Sequence, residues 1–200
     1  MHKLLSVSLL TLGLSFAAGA TAADPAASCA GCHGADGVST DPNSPTIAGL
    51  SSDYLAGALK DYKSKTRPSA EITITAGDKK GQKGDMNTAA AALSDADIAS
   101  LAKTFSEKKF VRAKQNVDPA LAAKGKDIHD KLCDKCHTEG GSVAADDAGI
   151  LAGQWAGFLK AQLVDYKSGK RPVPTKMQPK LDQVQPADFD ALTAYYGSFK

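Results

Sequence analysis

The sequence Cys29-Ala30-Gly31-Cys32-His33 recurs as the same Cys-x-x-Cys-His pattern in Cys133-Asp134-Lys135-Cys136-His137, and the two motifs contain all four cysteines of the chain. This pattern is typical of c-type haem attachment. Cysteines three residues apart share one face of a helical turn, and the adjacent histidine is placed to bind the iron. Because two complete motifs use every thiol, the sequence predicts two covalently bound haem c groups.

Two other uses of a Cys-x-x-Cys pair remain open. Four cysteines and two histidines would satisfy a structural zinc ion, but the two motifs lie far apart in self-similar segments. A thioredoxin-like dithiol pair requires a strand before the motif, whereas residues 126–132 have a helical pattern. Haem attachment is therefore favoured over both.

Residues 1–23 have the pattern of a secretory signal peptide. Met1-His2-Lys3 is weakly basic, Leu4 to Ala18 is apolar, and small residues follow up to Ala23. Cleavage there would leave no second run long enough to cross a bilayer. We therefore expect an exported, periplasmic protein without a transmembrane segment.

The charge of the chain is nearly balanced, with 24 Lys and Arg against 22 Asp and Glu. The carboxylates of two haems would make the exported protein mildly acidic, which does not favour a nucleic-acid partner. Three basic sets are expected to be solvated surfaces, and the alternative is that they steer an acidic partner. They are Lys63, Lys65 and Arg67; Lys79, Lys80 and Lys83; and Lys167, Lys170 and Arg171.

An internal repeat organises the rest of the chain. From Cys29 to Cys133 the offset is 104 residues, and the same offset aligns residues 47–49 with 151–153 and residues 61–68 with 165–172. Beyond the aligned prolines Pro68 and Pro172 the offset becomes 91. The first half therefore contains about 13 extra residues within residues 69–85. Two copies of one domain explain this pattern. The predicted bounds are 1–23 for the signal peptide, 24–110 and 120–200 for the domains, and 111–119 for the linker.

Hydrophobic periodicity predicts a mainly helical protein. Helices are expected around residues 54–62 and 158–166, stopped by Arg67-Pro68 and Arg171-Pro172, over 98–105 and 189–199, and over 120–132 before the second motif. The one β-like run, Ile72-Thr73-Ile74-Thr75, lies inside the extra segment.

Met86 and Met177 are the two methionines that remain after signal-peptide removal, and they lie at aligned positions. A thioether opposite histidine fills the last axial site of a haem iron and raises its potential. We predict that His33 and Met86 bind one iron and that His137 and Met177 bind the other. With both axial sites filled, the protein should transfer electrons only; an enzyme at the haem would require Met86 or Met177 not to bind. The other remaining histidine, His129, is expected to be solvated or to lie at a haem edge.

These residues resemble the two-domain class I cytochromes c of the cytochrome c-4 superfamily, through residues 29–34, residues 45–49 and the methionine pair. Residues 110–181 are similar to the dihaem subunit of flavocytochrome c sulfide dehydrogenase. The similarity lies in residues 113–115, 129–137, 139–141, 150–155 and 170–172. The resemblance implies an all-α fold of two tandem cytochrome c domains, each wrapped around one haem.

The same resemblance implies a role as a non-catalytic subunit. It would take electrons from a sulfide-oxidising flavoprotein that carries FAD and pass them to a small periplasmic acceptor. The alternative is a free dihaem shuttle, either to a terminal oxidase or from a thiosulfate dehydrogenase.

Two positions depart from the family pattern. In the family, the proline before Ile/Leu-Ala-Gly accepts a hydrogen bond from the haem histidine through its carbonyl; Pro45 fits, but the aligned residue is Gly149. A backbone carbonyl could still serve His137 in the second half. The first half also has few residues before Cys29, so its N-terminal helix should be short or missing, leaving the first haem edge exposed or covered by a partner.

Overall fold

The computed structural model describes residues 25–200, so the predicted signal peptide lies outside the described residues. In the first half the helices are α1 Pro25–His33, α2 Ser52–Lys63, α3 Met86–Ala91 and α4 Asp95–Ser106, with strands β1 Ile72–Thr73 and β2 Lys83–Gly84. In the second half they are α5 Pro119–Leu132, α6 Thr138–Gly141, α7 Ala156–Lys167, α8 Gln178–Leu181 and α9 Phe189–Gly197, with single 3-10 turns at Ala144–Asp146 and Pro186–Asp188.

Local sequence explains where the principal helices begin. The side chain of Ser51 accepts a hydrogen bond from the Tyr54 N–H at the start of α2, and Ser94 and Asp97 form a reciprocal capping box at the start of α4. Helix α2 ends at Lys63, before the predicted Arg67-Pro68 stop, because Lys65 adopts a left-handed φ of 62°.

The repeat inferred from the sequence is present in the tertiary structure. The N–H of Gly49 donates to the carbonyl of Phe105 at 2.8 Å, and the N–H of Gly153 donates to the carbonyl of Tyr196 at 2.7 Å. The glycines are related by the offset of 104 and the acceptors by the offset of 91. This pair of bonds confirms both parts of the alignment and a fold of two tandem units.

Each half has its own apolar core. Leu50, Leu55, Leu101 and Phe105 lie in the first, which Ile150 from the second half joins. The second core contains Leu159, Leu181, Val184, Phe189, Leu192 and Tyr196. Helices α5 and α9 cross closely because Gly125 has no side chain; a Cβ there would lie 2.0 Å from the Ala191 carbonyl oxygen.

The predicted linker is ordered against the second half. The Ala113 N–H donates to the Gly153 carbonyl at 2.7 Å, and the Gln115 side chain bonds to the Gln154 carbonyl at 2.7 Å and to the Ala156 N–H at 3.0 Å. Across residues 25–200, none of the helices is long and apolar enough to span a membrane.

Candidate haem-binding sites

In the first half, α1 carries both cysteines and the histidine of the motif. His33 is 5% exposed, and its Nδ1 lies 2.8 Å from the carbonyl oxygen of Pro45. A carbonyl oxygen can only accept, so Nδ1 holds the proton and Nε2 has a free lone pair for a metal ion. Burial lowers the pKa of His33, although the Pro45 bond opposes this, and a lowered pKa favours the neutral imidazole.

In the second half, Cys133 caps α5, and Cys136 and His137 follow in the next turn. The Nδ1 atom of His137 is buried and has no hydrogen-bond partner among residues 25–200. Burial again lowers the pKa of the imidazole. Among residues 25–200, no backbone carbonyl takes the place that the Pro45 carbonyl has beside His33.

Each predicted methionine ligand lies at the start of a short helix in its own half. The N–H of Met86, the first residue of α3, donates to Ser69 Oγ at 2.8 Å. Met177 precedes α8, donates to the Pro174 carbonyl at 2.8 Å, and packs against the second core. Both side chains are half-buried, and their binding to iron stays a prediction.

The donor sets fit one c-type haem in each half. No disulfide joins the four cysteines, all of which lie in the described part of the chain, and burial raises the pKa of Cys32 and Cys133, which favours their protonated form. Within the described part of the chain, no three His, Cys, Asp or Glu side chains come together as a metal-binding group. The geometry therefore keeps the two motifs as separate sites and does not favour a shared zinc ion.

The extra segment of the first half folds over the first motif. Gly31, between Cys29 and Cys32, accepts three hydrogen bonds on its carbonyl oxygen: from the N–H groups of Thr75 at 2.9 Å and Ala76 at 3.2 Å, and from Thr75 Oγ1 at 3.0 Å. A Cβ at Gly31 would lie 2.9 Å from Ile74 Cγ2. The motif is thus covered by this chain's own antiparallel hairpin, which the sequence had suggested only as a β-like run.

The second half contacts residues 39–46 of the first half, the segment that contains the His33 acceptor Pro45. Gln154 accepts from the Thr46 N–H and donates to the Thr46 carbonyl, both at 2.9 Å. The Trp155 indole donates to the Ser39 carbonyl at 3.1 Å, and the Phe158 N–H donates to the Pro42 carbonyl at 3.0 Å. Gln154, Trp155 and Phe158 of the second half therefore hold the two domains together.

A basic cluster lies between the two halves. Arg67 and Arg171 each donate to Oε1 of Gln162 at 2.7 Å. Arg67 is only 4% exposed and Arg171 is half-buried, so the prediction that these arginines lie on solvated surfaces is wrong. Burial would raise the pKa of Tyr54, but the charges and hydrogen bonds of the two guanidinium groups lower it overall.

His129 is buried, with 1% of its surface exposed, so it is not solvated. Its Nδ1 lies 3.0 Å from the Tyr196 hydroxyl. This position beside the second motif agrees with the haem-edge alternative.

Departures from the repeat mark the interface residues that sequence reasoning missed. Gln154 aligns with Leu50, Trp155 with Ser51 and Gln162 with Ala58. Each is a polar or aromatic residue without a like partner in the first half, and each makes a bond between the halves. A search for such mismatches would have found them.

Comparisons with known proteins agree with this geometry. The profile of the cytochrome c family matches residues 16–103. Cytochrome c4 of Pseudomonas aeruginosa is 36% identical over 186 residues, covering 86% of this chain and 84% of that protein. A thiosulfate dehydrogenase electron acceptor of Thiomonas intermedia is 31% identical over 185 residues, covering 86% and 78%. The crystal structure of reduced recombinant cytochrome c4 from Pseudomonas stutzeri matches with a TM-score of 0.69 and 30% identity, covering 87% of this chain and 94% of that one.

Proposed function

The chain belongs to the cytochrome c4 family of dihaem class I cytochromes c, and we propose that it receives electrons in the periplasm from an enzyme that oxidises a reduced sulfur compound. It is an electron carrier and not an enzyme, and it carries two covalent haem c groups. A haem iron bound on both sides supplies reversible one-electron transfer. The observation that supports a dihaem electron carrier is the Cys-x-x-Cys-His site, which is present once in each half beside that half's own apolar core.

We assign the haem-attaching and iron-binding roles to eight residues. Cys29, Cys32, Cys133 and Cys136 attach the haems, His33 and Met86 bind the first iron, and His137 and Met177 bind the second. Burial lowers the pKa of both imidazoles and so favours their neutral form, which supports their role as ligands. The proposed domains are residues 24–110 and 120–200, joined by 111–119, whose bonds to Gly153 and Gln154 support its role as a tight connector.

Arg67 and Arg171 supply positive charge for haem carboxylates at the domain interface. The support is that Arg67 is almost fully buried and its Nε has no hydrogen-bond partner among the described residues. A buried guanidinium that bonds only to neutral groups is costly unless an anion compensates it. A haem carboxylate would satisfy both the free N–H and the charge.

The preferred donor is a flavoprotein subunit that oxidises sulfide, and the acceptor is a small periplasmic electron carrier. The resemblance of residues 110–181 supports this donor. Within that stretch Gln154 and Trp155 pack against the first half, while Lys135 and Lys170 are exposed and free to meet an acidic partner.

A thiosulfate dehydrogenase is the second candidate donor. The relative from Thiomonas intermedia, which is an electron acceptor for that enzyme, favours it. A free shuttle would then form a transient complex rather than a permanent one.

Purification from the native cell tests the choice of donor. A flavin-containing partner in stoichiometric amount supports the subunit, whereas a haem-only monomer or homodimer rejects it. Mixing the oxidised protein with sulfide and its flavoprotein, or with thiosulfate and its dehydrogenase, then identifies the reaction that reduces the haems. If neither enzyme reduces them, the proposal of a sulfur-compound donor is wrong.

A further inference from the structure

The connection between the interface arginine and the predicted methionine ligand is longer in the first half than in the second. In the first half it runs from Arg67 to Met86. In the second half it runs from Arg171 to Met177, without a counterpart of the extra segment within residues 69–85. A longer connection loses more conformational entropy when its ends are fixed. Met86 therefore needs additional contacts if it is to hold one position.

Three hydrogen bonds close this connection at its base. The N–H of Met86 donates to Ser69 Oγ at 2.8 Å. The side-chain amide of the next residue, Asn87, donates to the carbonyl oxygens of Tyr62 and Arg67, both at 2.9 Å. Both donor and acceptor groups lie in the partly buried base of the loop, where they exchange few hydrogen bonds with water. These bonds join the two ends of the extra segment directly.

The middle of the extra segment is held as well. The N–H groups of Thr75 and Ala76 donate to the carbonyl oxygen of Gly31, inside the first Cys-x-x-Cys-His motif. The segment therefore bonds at one place to the motif that contains His33, and at another to the start of the helix that begins with Met86. One ordered stretch of chain thus connects the elements that carry the two predicted ligands of the first iron.

The aligned positions of the second half do not make these contacts. At the offset of 104, Ser69 aligns with Val173, which has no hydroxyl group. At the offset of 91, Asn87 aligns with Gln178. The side chain of Gln178 is exposed and donates to Asp182 Oδ1 at 2.7 Å, one turn further along the chain. The shorter connection of the second half leaves no long loop to close.

We propose that Ser69 and Asn87 are positioning residues that hold Met86 at the first haem iron, in place of the short connection found in the second half. This inference rests on the proposed ligation of iron by Met86. Neither side chain is itself a ligand, because each acts through the backbone beside the methionine. Their hydrogen bonds restrain the thioether, so that an external ligand competes less well for the axial site.

Cyanide binding to the oxidised, haem-loaded protein tests the inference, because cyanide replaces a thioether on ferric iron. Binding should occur in two phases, and Met86→Ala identifies the phase of the first iron by making it fast. Ser69→Ala and Asn87→Ala should each accelerate that phase by about tenfold, which corresponds to about 1.4 kcal/mol, the net contribution of one hydrogen bond. The phase of the second iron should not change. Ser69→Thr keeps a hydroxyl group and should keep the slow rate.

Gln178→Ala is the matched control at the aligned position of the second half, and both phases should keep their rates in this variant. Unchanged rates in Ser69→Ala and Asn87→Ala overturn the inference. Equal acceleration of both phases also overturns it, because a general loosening of the protein would then explain the result. Absence of the far-red sulfur-to-iron band from the unmodified oxidised protein would show that the proposed methionine ligation is itself wrong. An intact band with unchanged cyanide rates rejects the positioning role alone.

Discussion

Gln154 and Thr46 form a closed pair of hydrogen bonds between the two domains. The Thr46 N–H donates to Gln154 Oε1 and Gln154 Nε2 donates to the Thr46 carbonyl, both at 2.9 Å, and both residues are almost completely buried. Thr46 follows Pro45, the acceptor for His33. This contact between the domains therefore also fixes the loop whose Pro45 carbonyl bonds to His33.

Replacing Gln154 with alanine should loosen this interface. The change leaves a buried N–H and a buried carbonyl without partners, which costs about 1–3 kcal/mol per group. Thermal unfolding of the holoprotein should shift to lower temperature, and amide exchange at Thr46 should become faster. Gln183→Ala is the control, because that side chain is exposed and donates to the carbonyl of Pro179, four residues before it. Equal stability of the two variants would contradict the role assigned to Gln154.

Replacing Met86 or Met177 with alanine should remove about half of the far-red sulfur-to-iron charge-transfer band. Each variant should also bind carbon monoxide at one iron when reduced, because an axial site becomes open. Absorption spectroscopy of the oxidised and reduced proteins measures both effects. Ready binding of carbon monoxide by the unmodified reduced protein would show that at least one methionine does not bind.

Gly31→Ala should destabilise the first domain by about 1–3 kcal/mol, the usual cost of overpacking. The new methyl group would collide with Ile74 and disturb the hairpin that bonds to the Gly31 carbonyl. Lys135→Ala is the matched control at the aligned position of the second motif, where the side chain is exposed. Denaturant unfolding followed by haem absorbance should separate the two variants. A stable Gly31→Ala protein would mean that the hairpin does not pack tightly on the motif.

Acidification should destabilise the second domain through His129. Burial lowers the pKa of this histidine below its usual 6.5, although Asp134 near Nε2 opposes the shift. Between the folded and unfolded pKa values the unfolded chain binds more protons, so stability rises with pH in that window and falls as the pH drops below about 6.5. His33 and His137 do not contribute if they are bound to iron.

Denaturation midpoints at pH 7.5 and pH 5.5 measure this effect. His129→Gln should flatten the difference between the two midpoints, and Asp134→Asn should enlarge it, because it removes the charge that favours protonated His129. An unchanged pH difference in the His129→Gln protein would assign the effect to other groups.

Much of the site follows from residues that are close in the chain. The Cys-x-x-Cys-His motifs, the capping residues Ser51 and Ser94, and the change of offset from 104 to 91 depend on local spacing and on duplication, and a single sequence contains both. The predicted helices and the repeat were confirmed for this reason. The predicted solvated arginines were wrong, because lysine-rich surroundings in the sequence do not show that Arg67 turns inward.

The sequence by itself determined two haem-attachment sites, two like domains, and one methionine for each site. Only the tertiary structure decided that the hairpin bonds to Gly31, that Gln154 and Tyr54 join the domains, and that His137 lacks the acceptor that His33 has. The physical reason is that haem attachment is specified within five consecutive residues, whereas each of these contacts joins residues that are distant in the chain. Whether a carbonyl reaches an imidazole depends on backbone angles that packing between the domains imposes.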